Sequence, residues 1–205
     1  MHTFHYPHLP TELSTVHVAL FNNVTNSSEI RSRIVRASQL HGPDGEAERE
    51  AVNFAFIDAR LICSVLHLQT AVYQAILAQA QDSLRTKTVH SEILWALNPT
   101  NNISEAIRRY GVADSTTSLI VVRISSPHLS NVQELMSRVV TGTLSPLEDL
   151  SNITDWTTVK KACTHSYHKL NTEPALKAVA KDSAQEHIVV NEIVTSTVAT
   201  KSVSA

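Results

Sequence analysis

"SLIVVRIS", Ser118 to Ser125, is the stretch on which the fold turns. Leu119, Ile120, Val121, Val122 and Ile124 are aliphatic, and all but Leu119 are β-branched, which favours extended backbone. The run does not alternate with polar residues, so both faces of the strand must be covered. It reads as a central strand.

Outward from it lie its partners. "TFHYP" (Thr3 to Pro7) and "TVHVALF" (Thr15 to Phe21) read as two strands separated by turn chemistry, and "VNFAFID" (Val52 to Asp58) as a third. Between them "NSSEIRSRIVRAS" (Asn26 to Ser38) carries a cap and Ile30, Ile34 and Val35 at helical spacing, with Arg31, Arg33 and Arg36 on the other side. "QLHGPDGEAEREA" (Gln39 to Ala51) reads as a loop from its Gly-Pro and Asp-Gly steps. Ala59 to Ser83 reads as one long buried helix through Leu61, Val65, Leu68, Val72, Ile76 and Ala80.

Further helices are expected over Thr88 to Leu97, Asn131 to Val140 and Asp155 to His168, the last two joined by "TGTLSPLEDLSN". Residues 169–183 are ambiguous, reading as part helix and part linker. For "EHIVVNEIVTSTVATK" (Glu186 to Lys201) a terminal helix competes with a strand. The whole implies one α+β domain over residues 1–205, with a small mixed or antiparallel sheet of about four strands surrounded by helices.

Composition narrows the function classes. Hydrophobic residues are 42% and charged residues 18% of 205, as in a chain that buries a core. A net charge of −2 excludes a surface basic all over, yet leaves room for a local cationic patch. No run approaches the roughly 20 apolar residues of a membrane span, and the first residues lack the pattern of a secretory signal. Two cysteines, Cys63 and Cys163, are expected as reduced thiols.

"NPTNNISEAIRRYGV" (Asn98 to Val112) is the most explicit local design in the chain. Pro99 stops one helix, Asn102 caps the next, and Glu105 lies where a capping box reaches back to the cap's amide. Ile103, Ala106, Ile107 and Tyr110 form the expected core line, and Gly111 is expected to be left-handed just past the end. Arg108 and Arg109 point away from that line. Cations there offset the helix dipole by about 0.3–1 kcal/mol each. They would equally serve a phosphate backbone, together with Arg85, Lys87 and the Lys160/Lys161 pair.

Chemistry-bearing motifs are missing. Eleven histidines include His5/His8 and His165/His168 at spacings of three, but no HExxH or CxxC completes a metal set. No Walker, dinucleotide or nucleophile-elbow motif occurs, and a phosphate-cradling loop is hard to build from four glycines that all fall at turns or helix ends. The expectation is a protein that binds, with no cofactor, no metal and no catalysis.

"RTKTVHSEILWALNPTNNISEAIRRYGVADSTTSLIVVRI" (Arg85 to Ile124) closely resembles the signature segment of the kinase-binding small subunit of the KEOPS complex, the family known in animals as the PRPK-binding protein. "FIDARLICSVLHLQTAVYQAI" (Phe56 to Ile76) is similar to its central helix, and "TGTLSPLEDLSNITDWTTVKKACTH" (Thr141 to His165) and "IVVNEIVTSTVATKSV" (Ile188 to Val203) echo later segments. Asn98 stands where that family more often has serine, another turn-former.

The resemblance implies an α+β fold, no enzymatic activity, and direct docking on the small atypical kinase/ATPase subunit, with the other KEOPS subunits reached indirectly. It implies a part in threonylcarbamoyl modification of the adenosine beside the anticodon, through a grip on tRNA that includes its single-stranded 3′ end. In fungi it also implies links to telomere maintenance and transcription, hence a place in the nucleus, at chromosomes and telomeres, and in the cytoplasm. An alternative is a purely allosteric partner of the kinase without RNA contact. Under the first view Arg85, Lys87, Asn101, Asn102, Arg108 and Arg109 would make the RNA groove. The apolar residues Ile188, Val189, Ile193 and Val194 of the C-terminal helix, and the first half of the long helix, would face the kinase.

Overall fold

Five strands form one antiparallel sheet: β1 (His2–His5), β2 (Thr15–Asn22), β3 (Ala55–Asp58), β4 (Leu119–Ser125) and β5 (Thr143–Ser145). The computed structural model describes residues 1–162, 174–179 and 182–204. Cys163, His165, His168, residues 169–173, 180 and 181 of the expected linker and the side chains of Lys160 and Lys161 lie outside that description. The sheet order is β1-β2-β4-β3, and all seven residues of β4 are buried between its neighbours, as its unbroken apolar run requires.

The two faces of the sheet are packed separately. Val16, Val18, Leu20, Ile57, Ile120 and Val122 enter one core, and Ala19, Phe21, Phe56, Leu119 and Val121 enter the other, following the period of two along each strand. Helices α1 (Ser27–Gln39) and α6 (Val132–Val139) cover the second face through Ile30, Val132 and Met136. Helix α2 (Gly42–Ala51) leans on α1. The first face is covered by α3 (Val65–Ala80), α4 (Val89–Leu97) and the end of α5 (Ile103–Tyr110). Short helices α7 (Leu150–Ile153), α8 (Trp156–Ala162) and α9 (Pro174–Val179) follow, and α10 (Ser183–Ser204) lies along α3.

Three segments differ from expectation. Gln39 to Ala51 is not a loop: Pro43 sits in the first turn of α2, so the Gly-Pro-Asp sequence is a helix start. This helix has almost no apolar face and is held by charge. Glu48 accepts from Arg33 (3.0 Å) and Arg36 (2.8 Å) of α1, which hold its carboxyl down to about 2, and Arg49 donates to the Leu40 carbonyl (2.9 Å).

The helix expected from Ala59 starts only at Val65. Thr154 takes the Ile62 carbonyl (2.8 Å), and Ser64 caps the new start by accepting from the His67 amide. The joint "TGTLSPLEDLSN" contains β5, whose Thr143 to Ser145 pair with Asn22 to Leu20 along β2.

The C-terminal segment is helical, because a stripe at helical spacing reaches the interior. Val190, Val194, Val198 and Lys201 are all buried.

His90 of α4 pins this helix to the sheet. Its Nε2 accepts from the Ile124 amide (3.0 Å), so Nδ1 carries the proton and donates to Asn53 Oδ1 (2.9 Å). Burial, with Arg123 adding to it, pushes its pKa down from 6.5 to about 3. The folded protein thus refuses a proton that the unfolded chain accepts below pH 6.5, so stability is full above that value and lost as pH falls toward 3. His17, also lowered chiefly by burial, adds in the same direction. Urea unfolding at pH 7 to 4.5 is expected to lose up to about 1.4 kcal/mol per pH unit through His90. His90→Gln should show a shallower slope, and identical slopes would refute the assignment.

Candidate functional site

The stretch Asn98 to Tyr110 folds as a sealed turn followed by α5. Asn98 is fully buried, and its Nδ2 donates to Thr100 Oγ1 (2.8 Å), Thr100 O (3.2 Å) and Asn102 O (3.4 Å). Asn102 caps α5, its Oδ1 accepting from the Glu105 amide (3.0 Å). Its own amide donates to Thr100 Oγ1 (3.5 Å), whose hydroxyl donates to Glu105 Oε2 (2.7 Å). The capping box is therefore closed through Thr100.

Gly111 is not left-handed: its φ is −75° and its backbone is extended. What requires glycine is close approach, since a Cβ would lie 2.5 Å from the Ile107 carbonyl oxygen. Only half of the expected apolar line faces inward. Ala106 and Tyr110 are buried, whereas Ile103 and Ile107 are exposed, Ile107 by 50%.

The six expected RNA contacts fall at the two ends of α4. Arg85 and Lys87 are exposed on the loop before it, and Asn101, Asn102 and Arg108 are exposed after it. Nine residues of helix, about 13 Å, separate the two groups. Arg109 differs from Arg108: it is half-buried and paired with Glu105 (3.2 Å) one turn back. Among the described residues Arg85, Lys87 and Arg108 make no ion pair.

Two buried charges, both overlooked by pattern reading, fix these ends. Glu92 accepts from the amides of Arg85 (3.0 Å) and Thr86 (2.8 Å) and from Thr86 Oγ1 (2.7 Å), clamping the loop that carries the first cations. Lys201 of α10, only 6% exposed, donates to the carbonyls of Trp95, Asn98 and Thr100 and lies over the Trp95 ring, 3.6 Å from its centroid. Burial pushes its pKa down to about 8, Glu92 opposes this, and the ammonium stays charged at neutral pH. A cavity of ≈ 180 Å³ lies between α3, α4 and α10, with Arg85, Glu92, Trp95, Val198 and Lys201 in its wall. The Arg85 loop borders it directly, and the Asn98 turn meets it through Lys201.

The residues expected to face a kinase divide. Ile188 is 50% exposed, Val189 and Ile193 are partly buried, and Val194 packs inward with Cys63, Val159 and Val190. Val194 therefore serves the core. The outer side of α10 instead carries Ile188, Glu192, Ser196, Ala199 and Val203. At the start of α3, Leu66 is exposed and Val65 half-buried. No group of three or more metal-ligating side chains is gathered among the described residues, and no helix there is long and apolar enough to cross a membrane.

Residues 21–202 match the family described as kinase binding protein CGI-121. The chain is 37% identical to the EKC/KEOPS complex subunit CGI121 of Cryptococcus neoformans var. neoformans, over 86% of this chain and 90% of that protein. It is 35% identical to the same-named subunit of Aspergillus fumigatus (79% of this chain, 82% of that one) and 34% identical to that of Neurospora crassa (88% of each).

Two substitutions test this geometry. Gly111→Ala should cost about 1–3 kcal/mol in denaturant unfolding because a carbonyl must move. Full stability would show that the approach is not tight. Glu92→Gln keeps the shape but loses a charged acceptor of three donors. Faster exchange of the Arg85 and Thr86 amides and a loss of about 1.5–3 kcal/mol are expected. An unchanged loop would count against the clamp.

Proposed function

The chain belongs to the CGI-121 family of kinase binding proteins, and on that premise we propose that it is a non-catalytic subunit of a KEOPS complex. In this role it docks on the atypical kinase/ATPase subunit, reaches the other subunits through it, and helps to recruit tRNA for threonylcarbamoyl modification beside the anticodon. The kinase-facing surface is assigned to the outer side of α10 around Ile188, with Val189 and Ile193 at its border. RNA is assigned to the Arg85–Lys87 loop and the Asn101–Arg108 segment. The telomere and transcription links, and a nuclear and cytoplasmic location, belong to the same proposal.

One observation carries the RNA assignment: Arg85, Lys87 and Arg108 stand exposed on locally fixed backbone without carboxylate partners among the described residues. Exposed Ile103 and Ile107 lie on the same helix as Arg108 and offer apolar surface for an unpaired base. A single-stranded 3′ end needs this combination of phosphate contacts and base contacts.

The test is a tRNA titration of the kinase-bound chain at several salt concentrations. Three phosphate contacts correspond to a slope of log K on log salt of roughly −2, and alanine at Arg85, Lys87 or Arg108 should reduce its magnitude by about 0.7 each. Arg109→Ala should act mainly on stability, through loss of the Glu105 pair. tRNA trimmed of its 3′ terminal nucleotides should bind more weakly. Equal binding of trimmed and intact tRNA, or no effect of the three substitutions, supports the alternative of a kinase partner without RNA contact.

A further inference from the structure

We infer that Lys201 is a positioning residue that links the two surfaces, so that a kinase docked on the outer side of α10 steadies the RNA-facing turn. The inference rests on the assignment of those surfaces given above.

Lys201 lies in the last turn of α10, four residues beyond Thr197 and three beyond Val198, with its side chain directed inward. Its ammonium holds three carbonyls at the end of α4 and in the Asn98–Thr100 turn. The neighbouring turn of α10 is tied to α3 through Gln74, whose Nε2 donates to the Ala199 carbonyl (2.9 Å). Ser202 and Val203, next to Lys201, are exposed, Val203 by 84%.

The carbonyls in the last turn of a helix lack intrahelical N–H donors, and that turn frays most readily. Lys201 therefore has two arrangements: seated on the carbonyls, or withdrawn with the frayed turn. A partner lying along Ile188, Glu192, Ser196, Ala199 and Val203 holds the final turn helical and keeps the ammonium seated. Seating fixes Asn98 and Thr100, and through them the cap at Asn102 and the start of α5. Linkage then requires that RNA bound to the turn tightens kinase binding by the same factor.

The experiment is amide hydrogen exchange on the full chain, alone and saturated with the kinase subunit, for the native protein and Lys201→Met. Methionine keeps an unbranched stem against Trp95 and removes the donors. In the free chain, the amides of Asn98, Glu105 and Ala106 should exchange about tenfold faster or more in the variant, while those of β2 and β4 stay unchanged. On kinase binding the native protein should gain protection both on α10 and at these three amides, and the variant on α10 alone.

Unchanged exchange at the three amides in the free variant overturns the positioning role. Equal protection of the turn in both proteins, or protection of α10 without the turn in the native one, overturns the link and leaves kinase docking intact. A bound kinase that leaves α10 unprotected overturns the docking assignment and the link together. If Lys201→Met does not fold, Lys201→Arg keeps the charge, spreads its donors over a planar fork that misaligns with the carbonyls, and is read at the same amides.

Discussion

A buried ammonium holds the site-bearing half of this protein together. Taking Lys201 out of water costs several kcal/mol in any low-dielectric setting, and an uncompensated charge there would unfold the contact. The compensation is specific. The Trp95 and Asn98 carbonyls present the negative end of the α4 dipole, the Thr100 carbonyl of the turn adds a third acceptor, the Trp95 ring supplies its face, and Glu92 lies close enough to favour the charged form. Such a cluster has one good arrangement. It sets α10 against α4 and fixes the turn from which α5 departs, so a helix far along the chain shares one geometry with the consecutive pair α4 and α5.

Glu92 does the complementary work at the other end of α4. Its carboxylate accepts from the backbone amides of Arg85 and Thr86 and makes no ion pair with the Arg85 or Lys87 side chain among the described residues. With that carboxylate turned to the loop's backbone and the Thr86 hydroxyl, Arg85 and Lys87 stay without ion-pair partners among the described residues. Arg109 shows the contrast, since its partner Glu105 is a side chain on the same helix. Opposite this arrangement the second face of the sheet has no such task. It is closed by Ile30, Val132 and Met136, and by α2 bound to α1 through Glu48.

What the sequence reveals is the part governed by local rules. The run at Leu119 to Ile124 announces a strand covered on both sides, and Asn102 with Pro99 announces where one helix stops and the next begins. The composition of α2 misleads because its stability comes from Arg33 and Arg36, residues of another helix, and Gly-Pro serves helix starts as well as turns. β5 is too short to show a period and exists because β2 has an open stretch beyond β1. Ile103 and Ile107 fit the apolar line of α5, yet periodicity states which residues share a stripe and not how wide a stripe the neighbour covers. Lys201 is hidden for the same reason. Only its place in the stripe Val190, Val194, Val198 hints that a cation is turned inward.

A rigid turn has consequences for how such a surface binds. Ordering loops and side chains is a principal cost of association, and here the hydrogen bonds among Asn98, Thr100, Asn102 and Glu105 order the turn before RNA arrives. Pre-organisation raises what each contact contributes, but the exposed cations are few and lie in two groups separated by the length of α4. Contacts of that number give weak, salt-sensitive binding on their own. On the function proposed, tight recruitment of tRNA therefore comes from joining this surface to others on the same assembly, where a tethered second contact acts at millimolar effective concentration. A fixed distance between the surfaces is what makes such joint binding productive, and fixing distances is what the buried Lys201 and Glu92 accomplish.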